Sequence, residues 1–350
     1  MSRTKLWIIA VVCSLICSSI GRAQDIPSPA FAPKSVQFAE NTRPLAEPGI
    51  FNYDAQMFAP VEFANFRNPE PSTGFFASYE RTSTSISRSG SRDLLAPGVL
   101  LSDFPVGNDF MWGNRFEIGW VTENNDGWQL VYNKTEGGFF AFGRDELVGN
   151  PMLVRTNLSN VAINRIFRQS TSNGGYLEPY IGLRYMSMSD KTLEDTLITI
   201  GDDDLNNRFK QSATNSAIGP QVGSRYNLRT GRFRYGLDGG VSAMYNQQRY
   251  FATDLIVSPT AIGINEFNQS DSSFVPAVDL RLELVYYITR DVGLRGSAGF
   301  SYLWDGLNRS NNLTTAFNPN SVNGIGGGVA GIQDESTTAA GFGFGIEWKR

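Results

Sequence analysis

No histidine occurs among the 350 residues, and the two cysteines, Cys13 and Cys17, both sit near the N-terminus. Without histidine the chain lacks the commonest general base and the commonest transition-metal ligand. Charge is also sparse: 18% of residues are Asp, Glu, Lys or Arg, against about 25% in an average protein. Long apolar runs are missing as well. The mean hydropathy is -0.23, whereas a helix that crosses a bilayer needs about 20 consecutive apolar residues. Only the N-terminus approaches that length, so a bundle of membrane helices is excluded.

The apolar run Leu6–Cys17 follows Arg3 and Lys5 and ends before the small residues Gly21 and Ala23. Positive start, short apolar stretch and small residues before Gln24 predict a cleaved export signal over 1–23. Neither cysteine is preceded by the small residues of a lipoprotein site, so no lipid anchor is expected. Both cysteines fall within this signal, which leaves the exported part without disulfides or thiolate chemistry. Removing Arg3, Lys5 and Arg22 from the 30 basic residues leaves 27 against 34 acidic, a net of -7. That sign argues against nucleic acid as a partner.

Residues 24–72 hold Pro27, Pro29, Pro33, Pro44, Pro48, Pro60, Pro69 and Pro71, eight of the 16 prolines. No strand runs through such spacing, and an extended, disordered arm is expected here.

What the sequence has in quantity is glycine (36), phenylalanine (24) and a period of two from Thr73 onward. In Phe274–Ile288, Phe274, Val278, Leu280, Leu282, Leu284 and Tyr286 alternate with Ala277, Asp279, Arg281, Glu283 and Val285. Successive strand side chains point to opposite faces, so one face is greasy and the other charged. Related alternation begins near Phe75, Phe110, Trp128, Val161, Tyr176, Ile218, Phe233, Val292 and Ala340. Most of these stretches reach the roughly 9–11 residues that a tilted strand needs to cross a bilayer. The connections alternate between long and short. The long ones are 83–108, 135–156, 188–215, 246–272 and 305–337; the short ones are 123–126, 170–175, 229–232 and 289–291. Outer-membrane barrels combine long external loops with short periplasmic turns. The predicted fold over 73–350 is therefore all-β: an antiparallel, up-and-down transmembrane β-barrel of about ten strands. Twelve is the alternative if a loop hides a hairpin, as at Phe139–Phe142. Pro179, Pro220 and Pro276 are expected near strand starts.

Trp112, Trp120, Trp128, Tyr245, Tyr286, Tyr302, Trp304 and Trp348 fall near predicted strand ends, as an aromatic girdle would. The opposite face carries the expected lumen-lining charges Arg115, Glu117, Glu178, Arg184, Arg225, Arg234, Asp238, Asp279, Arg281, Glu283, Arg295 and Glu347. Ten strands lie close to the size that side chains fill by themselves. A paired network packing the lumen is expected, with a narrow path for small polar solutes as the competing reading. Asp279 and Glu283 bracket Arg281 on one face, which suits ion pairing better than acid–base catalysis, and no enzyme activity is expected. Gly201-Asp-Asp-Asp204 lacks the spacing of a calcium loop and Asn323–Gly331 that of a phosphate loop, so no metal or cofactor is expected.

The stretch Glu178-Pro-Tyr-Ile-Gly-Leu-Arg-Tyr185 and the final Gly-Phe-Gly-Phe-Gly-Ile-Glu-Trp run resemble bacterial outer-membrane β-barrel (porin-like) proteins over roughly 73–350. The resemblance implies outer-membrane lipid and the barrel-assembly machinery as partners. The expected role is structural or the slow diffusion of small polar solutes, with a surface adhesin that binds a partner through its long external loops as the alternative. Such proteins commonly end on an aromatic residue, whereas here Lys349 and Arg350 follow Trp348.

Overall fold

A computed structural model describes residues 73–87, 110–142, 151–171, 175–200, 203–257, 262–310, 314–317, 327–330 and 334–349. The expected export signal and the proline-rich arm lie outside these. Ten long strands run β1 (Gly74–Ile86), β2 (Met111–Val121), β3 (Asp126–Phe142), β4 (Pro151–Phe167), β5 (Tyr176–Ile200), β6 (Asp203–Thr230), β7 (Phe233–Val257), β8 (Ile262–Tyr287), β9 (Val292–Leu307) and β10 (Glu335–Lys349). Each pairs antiparallel with its sequence neighbours, and β1 pairs with β10 from Phe76↔Lys349 to Ile86↔Ala339. The sheet therefore closes on itself and has no free edge.

The short turns follow from local chemistry. Asn125 holds φ 62° between β2 and β3, a conformation that Asn tolerates better than most residues. Thr122 N donates to Asp126 O across it at 2.7 Å. Gly231 has φ +60° in the two-residue turn between β6 and β7, which suits the twist of a tight hairpin.

Side chains alternate outward and inward as the period of two requires. On β7, Phe233, Tyr235, Leu237 and Tyr245 are exposed, while Arg234, Ser242, Met244 and Asn246 are buried. From Phe233 to Tyr245 the outward row is about 40 Å along the strand at roughly 3.3 Å per residue, or about 30 Å high at a tilt near 40°. That matches a bilayer core. The upper edge of this apolar belt is sharp. Val161, Tyr185, Ile218, Tyr245 and Phe274 pair in one row across β4–β8, and the next outward row is Ser159, Ser187, Ser216, Gln247 and Ser272.

Three expectations need correction. Segments 135–156, 188–215 and 246–272 are largely strand, because β3–β8 run on beyond the belt. Period-two alternation continues there, but with polar side chains on both faces, which reads as loop. For the same reason Pro220 and Pro276 are interior to β6 and β8. β7 loses its ladder partners at Gly219–Pro220, where proline has no N–H to donate. Phe139–Phe142 extends β3 against β4 and makes no extra hairpin, so the barrel has ten strands rather than twelve.

Candidate functional site

The inward faces of the strands fill the lumen in layers. Nearest the short turns lies a network of charges. Arg295 on β9 sits among four carboxylates: Glu80 at 2.5 Å, Glu117 at 3.3 Å, Glu347 at 3.5 Å, and Glu283 in contact. Arg225 on β6 reaches Glu117 on β2 at 2.7 Å and Asp238 on β7 at 3.1 Å. Arg281 bridges Glu80 and Glu283 and donates to Ser297 Oγ at 3.0 Å. Arg234 pairs with Glu347 and donates to Asn227 Oδ1 at 2.6 Å. Asn227 in turn donates to Glu178 Oε2 at 3.3 Å. Arg184 contacts Asp279 and donates to Asn160 Oδ1 at 3.0 Å. Arg115 has one ion pair, to Glu117 at 3.5 Å.

All twelve charges expected in the lumen thus belong to ion pairs there. The sequence reading missed three further members. Glu80 continues the inward parity of β1 ahead of the connection expected from residue 83, so its position was detectable. Lys349, 3.1 Å from Glu347, continues the inward parity of Glu347. Arg168 lies in a turn, 2.6 Å from Glu178, and alternation could not have found it.

Bordered by these charges is a cavity of about 170 Å³ lined by Arg115, Arg184, Arg225, Asp279, Arg281, Gln129, Asn164, Tyr180 and Gln221, among others. Its far side is an apolar layer of Ile86, Met186, Met188, Met244, Val275, Leu303 and Leu307. At that layer the last residues of β9 turn inward, and Gly306–Ser310 runs into the lumen as buried chain. Gly306 O accepts from Asn246 Nδ2 at 2.7 Å, Gln248 Nε2 at 2.8 Å and Ser273 Oγ at 2.5 Å. Asn215 bonds both Asn308 O, at 2.7 Å, and Asn308 N, at 2.8 Å. Arg309 pairs with Asp190 and donates to Thr337 Oγ1 at 2.9 Å and Ser87 O at 3.0 Å. Asp190 and Arg309 fell within expected loops, so this second seal was invisible in the sequence.

The aromatic residues face outward. Trp112, Trp120, Trp128, Tyr245 and Tyr286 are exposed. Tyr302 and Trp304 are half-buried against one another at 4.8 Å, and Trp348 rests against Phe75 at 5.5 Å.

Closure, a bilayer-high apolar belt and a polar lumen define a transmembrane β-barrel of the outer-membrane class. No protein-family model matches the sequence, and no curated protein matches it either. Among solved structures the chain is similar to the outer-membrane protease OmpT from Escherichia coli, with 11% identity over 79% of this chain and 96% of that one and a TM-score of 0.45. It is also similar to Neisserial surface protein A (11% identity, 80% and 100% coverage, TM-score 0.27). A third is the translocator domain of the autotransporter NalP from Neisseria meningitidis (10% identity, 80% and 90% coverage, TM-score 0.32). The class assignment rests on this chain's own geometry.

Proposed function

We propose that this protein is a non-conducting barrel of a bacterial outer membrane, exported by residues 1–23 with cleavage after Ala23, which anchors an external β-wall that binds a partner. The filled lumen carries this reading. A path along the axis must pass the Arg295–Arg225 ion network, the methionine-rich apolar layer and the buried Gly306–Ser310 segment in turn. Breaking buried ion pairs to let a solute through exposes charges that lose their partners, at several kcal/mol each. The work then falls to β5–β8, which continue beyond the belt and hold polar surface away from lipid. No catalytic role is assigned to the lumen carboxylates, because each serves an arginine.

Single-channel recording of refolded residues 24–350 in a planar bilayer tests this, after a heat-dependent gel shift has established folding. The expected result is a folded barrel without conductance steps. Reproducible steps would overturn it and favour the second reading, slow diffusion of small polar solutes, for which the 170 Å³ polar cavity is the supporting observation.

A further inference from the structure

Outside the belt edge, the outward face of β4–β7 carries the exposed cations Arg155, Lys191, Lys210 and Arg249, with Arg208 one outward step further out on β6. Arg155 and Lys191 are directly opposed in the β4–β5 register. Lys210 lies one outward step beyond Ser212, the β6 partner of Lys191, and Arg249 pairs with Thr214, one step nearer the belt. Like charges directly opposed across two strands destabilise the pairing. None of Arg155, Lys191, Lys210 and Arg249 has an ion-pair partner among the described residues. Among the described side chains, the exposed acids on this outward face flank the group: Glu136 on β3, held by Lys134 at 2.5 Å, and Glu266 on β8. Arg155 acts on Glu136, but Glu136 is already held by Lys134, so among the described side chains one shared carboxylate faces the opposed pair, whereas the lumen cations are each balanced.

Their height limits what supplies the remaining counter-charge. Arg155 and Lys191 each stand six residues beyond Val161 and Tyr185 at the belt edge. At about 3.3 Å per residue and a tilt near 40°, that is about 15 Å outside the hydrocarbon. A phospholipid headgroup layer adds only about 5–8 Å beyond the core. The matching anion must stand further out while remaining tied to the outer leaflet. We infer that Arg155, Lys191, Lys210 and Arg249 form a binding site for the anionic saccharide headgroup of an outer-leaflet glycolipid, with its acyl chains against the belt below, near Tyr185 and Ile218. Phosphate or carboxylate groups on the sugars neutralise the opposed pair, and arginine and lysine are suited to both. This site is independent of whether the lumen conducts.

The test is native mass spectrometry of the folded, detergent-solubilised protein titrated with bisphosphorylated lipid A carrying its two acidic inner-core sugars, with phosphatidylglycerol as the competing lipid. Saturable binding of the glycolipid at least tenfold tighter than phosphatidylglycerol is expected. It should weaken about tenfold in Arg155→Ser/Lys191→Ser and persist in the charge-preserving Arg155→Lys/Lys191→Arg. The heat-dependent gel shift reports that each variant is folded, and because these side chains project into solvent beyond the belt, both are expected to fold. Equal affinity for phosphatidylglycerol, no saturable binding, or unchanged affinity in the serine variant would each overturn the assignment.

Discussion

Arg225 Nη1 on β6 lies 2.7 Å from Glu117 Oε1 on β2, so one ion pair joins strands that share no backbone hydrogen bond. Both side chains are buried, and removing either leaves a charge in a closed interior. Arg225→Ala and Glu117→Ala should each cost about 3–5 kcal/mol. The temperature at which the folded gel mobility is lost should drop in both. Because Glu117 also serves Arg295, the double variant should lose less than the sum of the two.

Tyr180 pairs in one row with Gly223 and Gly240, and its ring lies over both, with its hydroxyl donating to Asp238 Oδ1 at 3.1 Å. A side chain at Gly223 would meet that ring. Gly223→Leu should destabilise the barrel by about 1–3 kcal/mol through overpacking. Tyr180→Phe, which keeps the ring and loses only the hydroxyl, should cost about 1 kcal/mol. Urea titration of intrinsic fluorescence in lipid vesicles separates the two.

The belt makes a sided prediction. Leu282 faces outward within it and Ser272 faces outward just beyond its edge. Leu282→Arg should cost about 2–4 kcal/mol and Ser272→Arg at most about 1 kcal/mol. Equal costs in vesicle refolding would mean that the apolar row does not face lipid.

The inward segment is one seal among several. Arg309→Ala with Asp190→Ala removes its buried pair, yet the apolar layer and the Arg295 network remain below. This variant should stay silent in a planar bilayer while losing thermal stability. Conductance on its removal would make Gly306–Ser310 the gate instead.

The barrel and its charged face were legible because a membrane strand obeys two constraints at once, period two and bilayer length. Phe274–Ile288 displays both. Once β5–β8 leave the bilayer neither face need be apolar, so Lys191, Thr192 and Gln211 look like loop although they pair in long strands. Proline reinforced that error, since Pro220 and Pro276 suggested strand starts where strands were already under way. The Arg309–Asp190 contact spans more than a hundred residues of sequence and depends on chain leaving β9 to fold inward, which no local pattern encodes. Glu80 was a different case, a residue in plain alternation ahead of the first long connection that alternation alone would have found.

Arg295 draws its carboxylates from β1, β2, β8 and β10, the strands on either side of the seam where the first strand meets the last. An open sheet still missing β10 would hold that guanidinium, Glu80 and Glu117 without their full set of counter-charges, at a depth where lipid offers none. Neutralisation and sealing of the seam therefore occur together, and a half-zipped sheet has no comfortable resting state in the bilayer. A copy that fails to bring its C-terminal strand home thus keeps an opened lumen in which Arg295 has lost Glu347.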